Sequence, residues 1–115
     1  MNTENRFFRI WNLKTGQYEP IAAINTAGEI WTPKEVLQPE NVKIEFCSGW
    51  KDRNGKLIYA GDIINAKWGP NIIKRAVIKH RRSGAFILED GGRPLITIDE
   101  VHDKEIIGNI NEVKK

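Results

Sequence analysis

The sequence contains a single cysteine, Cys47, and two histidines, His80 and His102. One thiol cannot close an internal disulfide, so the fold needs no oxidising compartment. The same three residues fall short of the usual Cys/His ligand set of a structural zinc site, and no metal is expected. No apolar run approaches the roughly 20 residues that span a bilayer, which argues against a membrane partner. Residues 1–9 lack the cationic start, apolar middle and small-residue cleavage site of a signal peptide. The expected location is the cytoplasm.

Other absences bear on chemistry. The glycines form neither a phosphate-binding loop nor a dinucleotide fingerprint. Glu40, Glu45, Asp99 and Glu100 make no recognisable carboxylate pair. Cys47 has no evident base to activate it, so it reads as an inert, buried or half-buried thiol. His80 lies in a cationic run that disfavours a metal ion. His102, beside Asp103, reads as a surface or turn residue. Neither a cofactor nor a small-molecule substrate is indicated.

Acidic residues are missing from one long stretch. Between Asp62 and Glu89 there is none, while Lys67, Lys74, Arg75, Lys79, Arg81 and Arg82 all fall there. The net charge is only +3, so the rest of the chain is slightly acidic. A basic interval of this kind attracts phosphate, and Trp68 or Phe86 would offer a stacking face for a single strand. The plainer reading is a solvated hairpin whose charges discourage edge pairing.

What the chain does have is the balance of one globular domain over residues 1–115, with 40% hydrophobic and 29% charged residues. Strand periodicity dominates. Val42, Ile44 and Phe46 alternate with Lys43, Glu45 and Cys47, which predicts a strand with the apolar trio inward. Ile64, Ala66 and Trp68 alternate with Asn65 and Lys67 in the same way. Residues 6–12, 17–24 and 72–82 are further strand candidates, and 85–88, apolar on both sides, suits the middle of a sheet. Thr32, Pro33 and Glu35 fit a capping box, but Pro39 limits any helix to about two turns, so a short helix or a turn is expected there. Trp11 and Trp68 read as core residues. Trp50, just before a polar turn, is balanced between packing and partner contact. The predicted fold is mainly β: a small barrel or roll with additional N-terminal strands and at most one short helix.

The most distinctive segment is 48–64, Ser-Gly-Trp-Lys-Asp-Arg-Asn-Gly-Lys-Leu-Ile-Tyr-Ala-Gly-Asp-Ile-Ile. Asn54-Gly55 suits the positive φ angles of a tight turn. Gly61-Asp62 bends the chain again, and Asp62 can accept hydrogen bonds from nearby amides. Asp52, Asn54, Gly55, Tyr59, Gly61 and Asp62 are thus read as a structural turn motif.

This segment resembles the signature of the YopX family of phage and prophage proteins through Ser48, Gly49, Lys51, Asp52, Asn54, Gly55, Lys56, Ile58, Tyr59, Gly61, Asp62 and Ile63. Trp50 replaces a usual aliphatic residue, and Ala60 a commonly charged one. The Phe8-Arg9-Ile10-Trp11-Asn12 element and the run from Glu105 through Gly108-Asn109 to Ile110 resemble the family's N- and C-terminal elements. The resemblance implies a β-rich domain related to SH3-type barrels and a phage or prophage gene in a bacterial host. It carries no catalytic residues. The expected function is therefore a non-enzymatic accessory protein acting through protein–protein interaction, with a homo-oligomer among its forms. The alternative is nucleic-acid binding through 67–82.

Overall fold

A computed structural model describes residues 7–112; Arg6, the first residue of one sequence-predicted strand, lies outside them. Strands account for 58% of the described residues and no helix among them reaches seven residues, so the fold is mainly β, with one sheet curled into a half-barrel. Two compact units are distinguished, Met1–Phe46 and Cys47–Lys115.

In the first unit, β1 (Phe8–Asn12) pairs antiparallel with β2 (Gln17–Glu19) on one side. On the other side it pairs with the first half of β6 (Val42–Lys51). A separate three-stranded sheet contains β3 (Ala23–Ile24), β4 (Ile30–Trp31) and β5 (Val36–Leu37). The expected single strand over 17–24 is interrupted at Pro20, whose ring removes a ladder donor. No helix forms at Thr32. Its hydroxyl accepts from the Lys34 and Glu35 amides and donates to the Glu35 carbonyl, closing the β4–β5 turn instead. A helical turn follows at Pro39–Asn41.

The core of this unit is small: Ile10, Ile30 and Leu37 are buried, with Phe8, Ile21 and Val42 against them. The expected inward trio on β6 is corrected at two of its three positions, since only Val42 packs inward. Ile44 and Phe46 are exposed, and Glu45, on the opposite face, is only 3% exposed. The Arg9 Nε donates to its carboxylate at 2.7 Å and the Tyr18 hydroxyl at 2.9 Å. Arg9 lies over the Tyr18 ring, which meets Trp11 edge-on at 4.8 Å. An ion pair sheltered by two aromatic rings thus takes a place that alternation alone assigns to solvent.

The second unit is built on a five-stranded antiparallel sheet, ordered β11-β10-β9-β8-β12. Its strands are β8 (Asp62–Trp68), β9 (Asn71–His80), β10 (Phe86–Asp90), β11 (Arg93–Thr97) and β12 (His102–Asn109). The short β7 (Leu57–Tyr59) pairs with the second half of β6. A helical turn at Ile98–Glu100 joins β11 to β12. One face buries a continuous cluster of Ile58, Ile64, Ala66, Ala76, Ile78, Leu88, Ile98 and Val101. Strand β10 is interior and buries both Ile87 and Leu88, as its two-sided apolar pattern requires. Trp68 departs from expectation: it follows Ile64 and Ala66 in phase, but at the strand end it has run past the core and is 47% exposed.

Candidate functional site

The signature segment forms the hairpin between β6 and β7. Asn54-Gly55 occupies its tip, with Gly55 at φ 83°, where a Cβ would be strained. Asp52 sets the geometry. Its Oδ1 accepts from the Asn54 and Lys56 amides, each at 2.9 Å, and its Oδ2 accepts from the Ile106 amide of β12 at 3.1 Å. The Arg53 amide donates to the Lys104 carbonyl one residue pair away. Burial by itself would raise the Asp52 pKa. The Lys56, Ile106 and Asn54 amides, with the Lys56 charge, outweigh it and hold the carboxyl below its usual range. The second bend is fixed alike: the Tyr59 amide donates to Asp62 Oδ2 at 2.8 Å, and the Gly61 amide to the Ile78 carbonyl.

Trp50 is 41% exposed, and the Lys104 Nζ sits 4.7 Å from its ring centre. That ammonium donates to the Val101 carbonyl at 2.8 Å. Burial lowers the Lys104 pKa.

The six basic residues of 67–82 are not equivalent. Lys67, on β8, pairs with Asp103 at 3.3 Å, and Arg81 with Glu89 at 3.4 Å. Lys74, Arg75, Lys79 and Arg82 are exposed and have no ion pair among the described residues. The sequence could not show this division, because Asp103 and Glu89 reach their partners across neighbouring strands.

Two β-bulges flank the middle of β8. Opposite β9, Ala66 pairs with Ile73 and Ile64 with Ala76, so Asn65 alone faces both Lys74 and Arg75. Arg75 takes φ 54°, and its amide donates to Asn65 Oδ1 at 2.9 Å. Opposite β12 the register slips between His102 and Glu105, and Asp103 takes φ 52°. Non-glycine residues at positive φ are uncommon, and bulges re-aim side chains. Here they turn Lys74 and Arg75 outward on one side. On the other, Asp103 is placed near Lys67 and, at 3.6 Å, near Arg53. Arg53 also lies 3.8 Å from Glu105. These groups, with Asn65, Ala66 and Ile72, line a shallow recess of about 170 Å³. Its cations and carboxylates neutralise one another.

In the first unit the notable surface is the outer face of the β3-β4-β5 sheet. Ala23 pairs with Trp31, and Trp31 with Val36, so the three form one cross-strand row. All three are exposed, Trp31 at 47%. The opposite face carries Ile30 and Leu37, both buried. Trp31 is one of four tryptophans, a residue type more often packed than bound in a small β domain, and Val36 by itself carries no mark of a site in the sequence. The signal was present, since residues 30–31 and 36–37 are apolar at consecutive positions and must face both ways. A recess of about 280 Å³ also opens between Tyr18–Pro20 and Thr32–Lys34.

Among the described residues, no three His, Cys, Asp or Glu side chains are grouped to hold a metal, and no helix is long and apolar enough to cross a membrane. Fold and surface together define a small β-sheet protein with two solvent-open faces, one apolar and one cationic. The family model described as YopX protein matches residues 7–113, and the chain belongs to the YopX family. No curated protein and no solved structure matches it.

Proposed function

We propose that this protein works by protein–protein contact, first of all with a second copy of itself, and performs no chemical reaction. The observation that carries this reading is the exposed row Ala23–Trp31–Val36. A sheet apolar on both faces is ordinarily covered on both. Here only the side bearing Ile30 and Leu37 is packed. The neighbouring turn presents Lys34 and Glu35, both exposed, so two copies related by a two-fold axis can set each lysine against the other's glutamate. The non-enzymatic part is supported by the polar residues of the signature. Asp52 accepts from three backbone amides and Asp62 from the Tyr59 amide, which are scaffold duties. A phage or prophage gene, a bacterial cytoplasm and a kinship with SH3-type barrels accompany this reading; the sheet curled into a half-barrel supports the last.

Sedimentation velocity over a concentration series tests it. The wild-type protein is expected to self-associate, and Trp31→Ser to sediment as a folded monomer, its fold checked by circular dichroism. A wild-type chain that stays monomeric at the highest soluble concentration defeats the proposal.

A further inference from the structure

We infer that the β8–β9 hairpin and the turn after it form a binding face for single-stranded nucleic acid, with Lys74, Arg75, Lys79 and Arg82 holding the phosphodiester backbone and Trp68 with Ile72 receiving bases. The inference is separate from self-association and stands on residues of the other unit.

Charge is the first reason. These four cations are exposed and have no ion pair among the described residues, and no acidic residue lies between Asp62 and Glu89. Their attraction for an anion is therefore not cancelled locally, as that of Lys67 and Arg81 is by Asp103 and Glu89. Placement is the second. The bulge sets Lys74 and Arg75 together opposite Asn65, so one level of the strand presents two positive charges instead of one. Beyond the bulge Ala76 and Ile78 face the core, which leaves Lys79 on the opposite face, and Arg82 follows in the turn. At about 3.3 Å per strand residue the line from 74 to 82 extends roughly 25 Å. That length covers several phosphates of a single strand, and suits the ~4–16 nucleotides that a small barrel accommodates.

The third reason decides between single and double strands. At the hairpin tip Ile72, on the face of the paired charges, is 66% exposed, and Trp68, in phase with the other face but beyond the core, is 47% exposed, so a strand that passes over the tip meets both. A duplex hides its base faces and gives such side chains nothing to cover. A single strand offers a π-face with every nucleotide. The arrangement, cations along one strand and an exposed indole at its end, fits a ligand that is charged along its backbone and apolar between.

Fluorescence anisotropy with labelled dT20 and rU20, and with a 20-base-pair duplex, tests this on the full chain. With four phosphate contacts the expected salt slope is about −2.8, a loss of about 50-fold between 50 and 200 mM salt. The variant Lys74→Gln/Arg75→Asn/Lys79→Gln/Arg82→Gln should lose most binding. Asparagine is chosen at 75 because it tolerates positive φ. The pair Lys67→Gln/Arg81→Gln, which removes the same kind of charge from paired positions, should change affinity less than three-fold. Trp68→Ala should weaken binding at least five-fold. Circular dichroism and melting of each variant distinguish lost contacts from lost structure. Binding of rU20 alone or dT20 alone names the preferred sugar and supports the face in either case. The inference fails if neither single strand binds at 50 mM salt with protein up to about 100 µM, the weak end of non-specific affinity. It fails equally if the duplex binds as tightly, or if the quadruple variant binds like wild type while folded.

Discussion

The two compact units differ in what lies at their centres. In Cys47–Lys115 the core is a continuous aliphatic cluster of eight buried side chains, and the buried carboxylates lie outside it, at turns. In Met1–Phe46 three buried aliphatic residues share the work with a sheltered ion pair. Aliphatic packing tolerates reshuffling among residues of similar volume, whereas a buried charge pair tolerates neither the loss of a partner nor a shift of register. The first unit should accordingly be the less stable and the more particular of the two.

That contrast can be attacked at its centres first. Ile64→Ala, in the large cluster, should cost about 4 kcal/mol in urea unfolding, and Ile30→Ala, in the small one, nearer 2. Equal costs would mean that the smaller cluster is as tightly packed as the larger. Glu45→Ala, which leaves Arg9 without its carboxylate, should cost about 3 kcal/mol, while the double change Arg9→Met/Glu45→Leu should recover most of it. If the double variant is no better than the single, the pair is more than an electrostatic match. Hydrogen exchange should show amides of β1 and β2 opening more readily than those of β8 and β9.

A smaller effect is expected at Asp52. Asparagine there can keep an acceptor on one side only, so Asp52→Asn should lose about 2 kcal/mol at neutral pH. Its folded pKa is depressed, so the carboxylate's contribution is complete above the ordinary value near 4 and is lost as pH falls through the lower folded value. Acid titration of stability should be shallower in the asparagine variant than in wild type. Lys104 has the opposite dependence. Burial lowers its folded pKa, so the unfolded chain holds more protons in the window between the folded value and about 10.4. Stability should rise with pH through that window in wild type and not in Lys104→Met, a difference readable by thermal melts. Surface changes come last: at protein concentrations too low for association, Trp31→Ser should move the melting temperature by no more than a degree or two, since the ring then meets solvent.

Much of the second unit was legible in the sequence because its physics is local. Asn54-Gly55 makes a tight turn wherever it stands, and Ile64, Ala66, Ile87 and Leu88 sit in runs whose period matches one buried face or two. The first unit was harder to read. Alternation over 42–46 identifies a strand without saying which side is covered, and the decision lay with Arg9 and Tyr18, 36 and 27 residues away. The cationic face was half legible. The absence of acids between Asp62 and Glu89 is plain in the sequence, but Asp103 and Glu89 select which cations stay unpaired, and that selection depends on strand pairing and on two bulges. Trp68 shows where periodicity fails: a side chain in phase with the core can still lie beyond its end.

The contact of Asp52 and Arg53 with β12 has a consequence for solubility. Strand β12 is last in its sheet, and its Lys104 carbonyl and Ile106 amide point away from β8. Left open, that pair would invite a strand from another molecule and seed disordered stacking. A carboxylate and one amide from a turn occupy the place of a whole additional strand, so the sheet ends there without becoming a template.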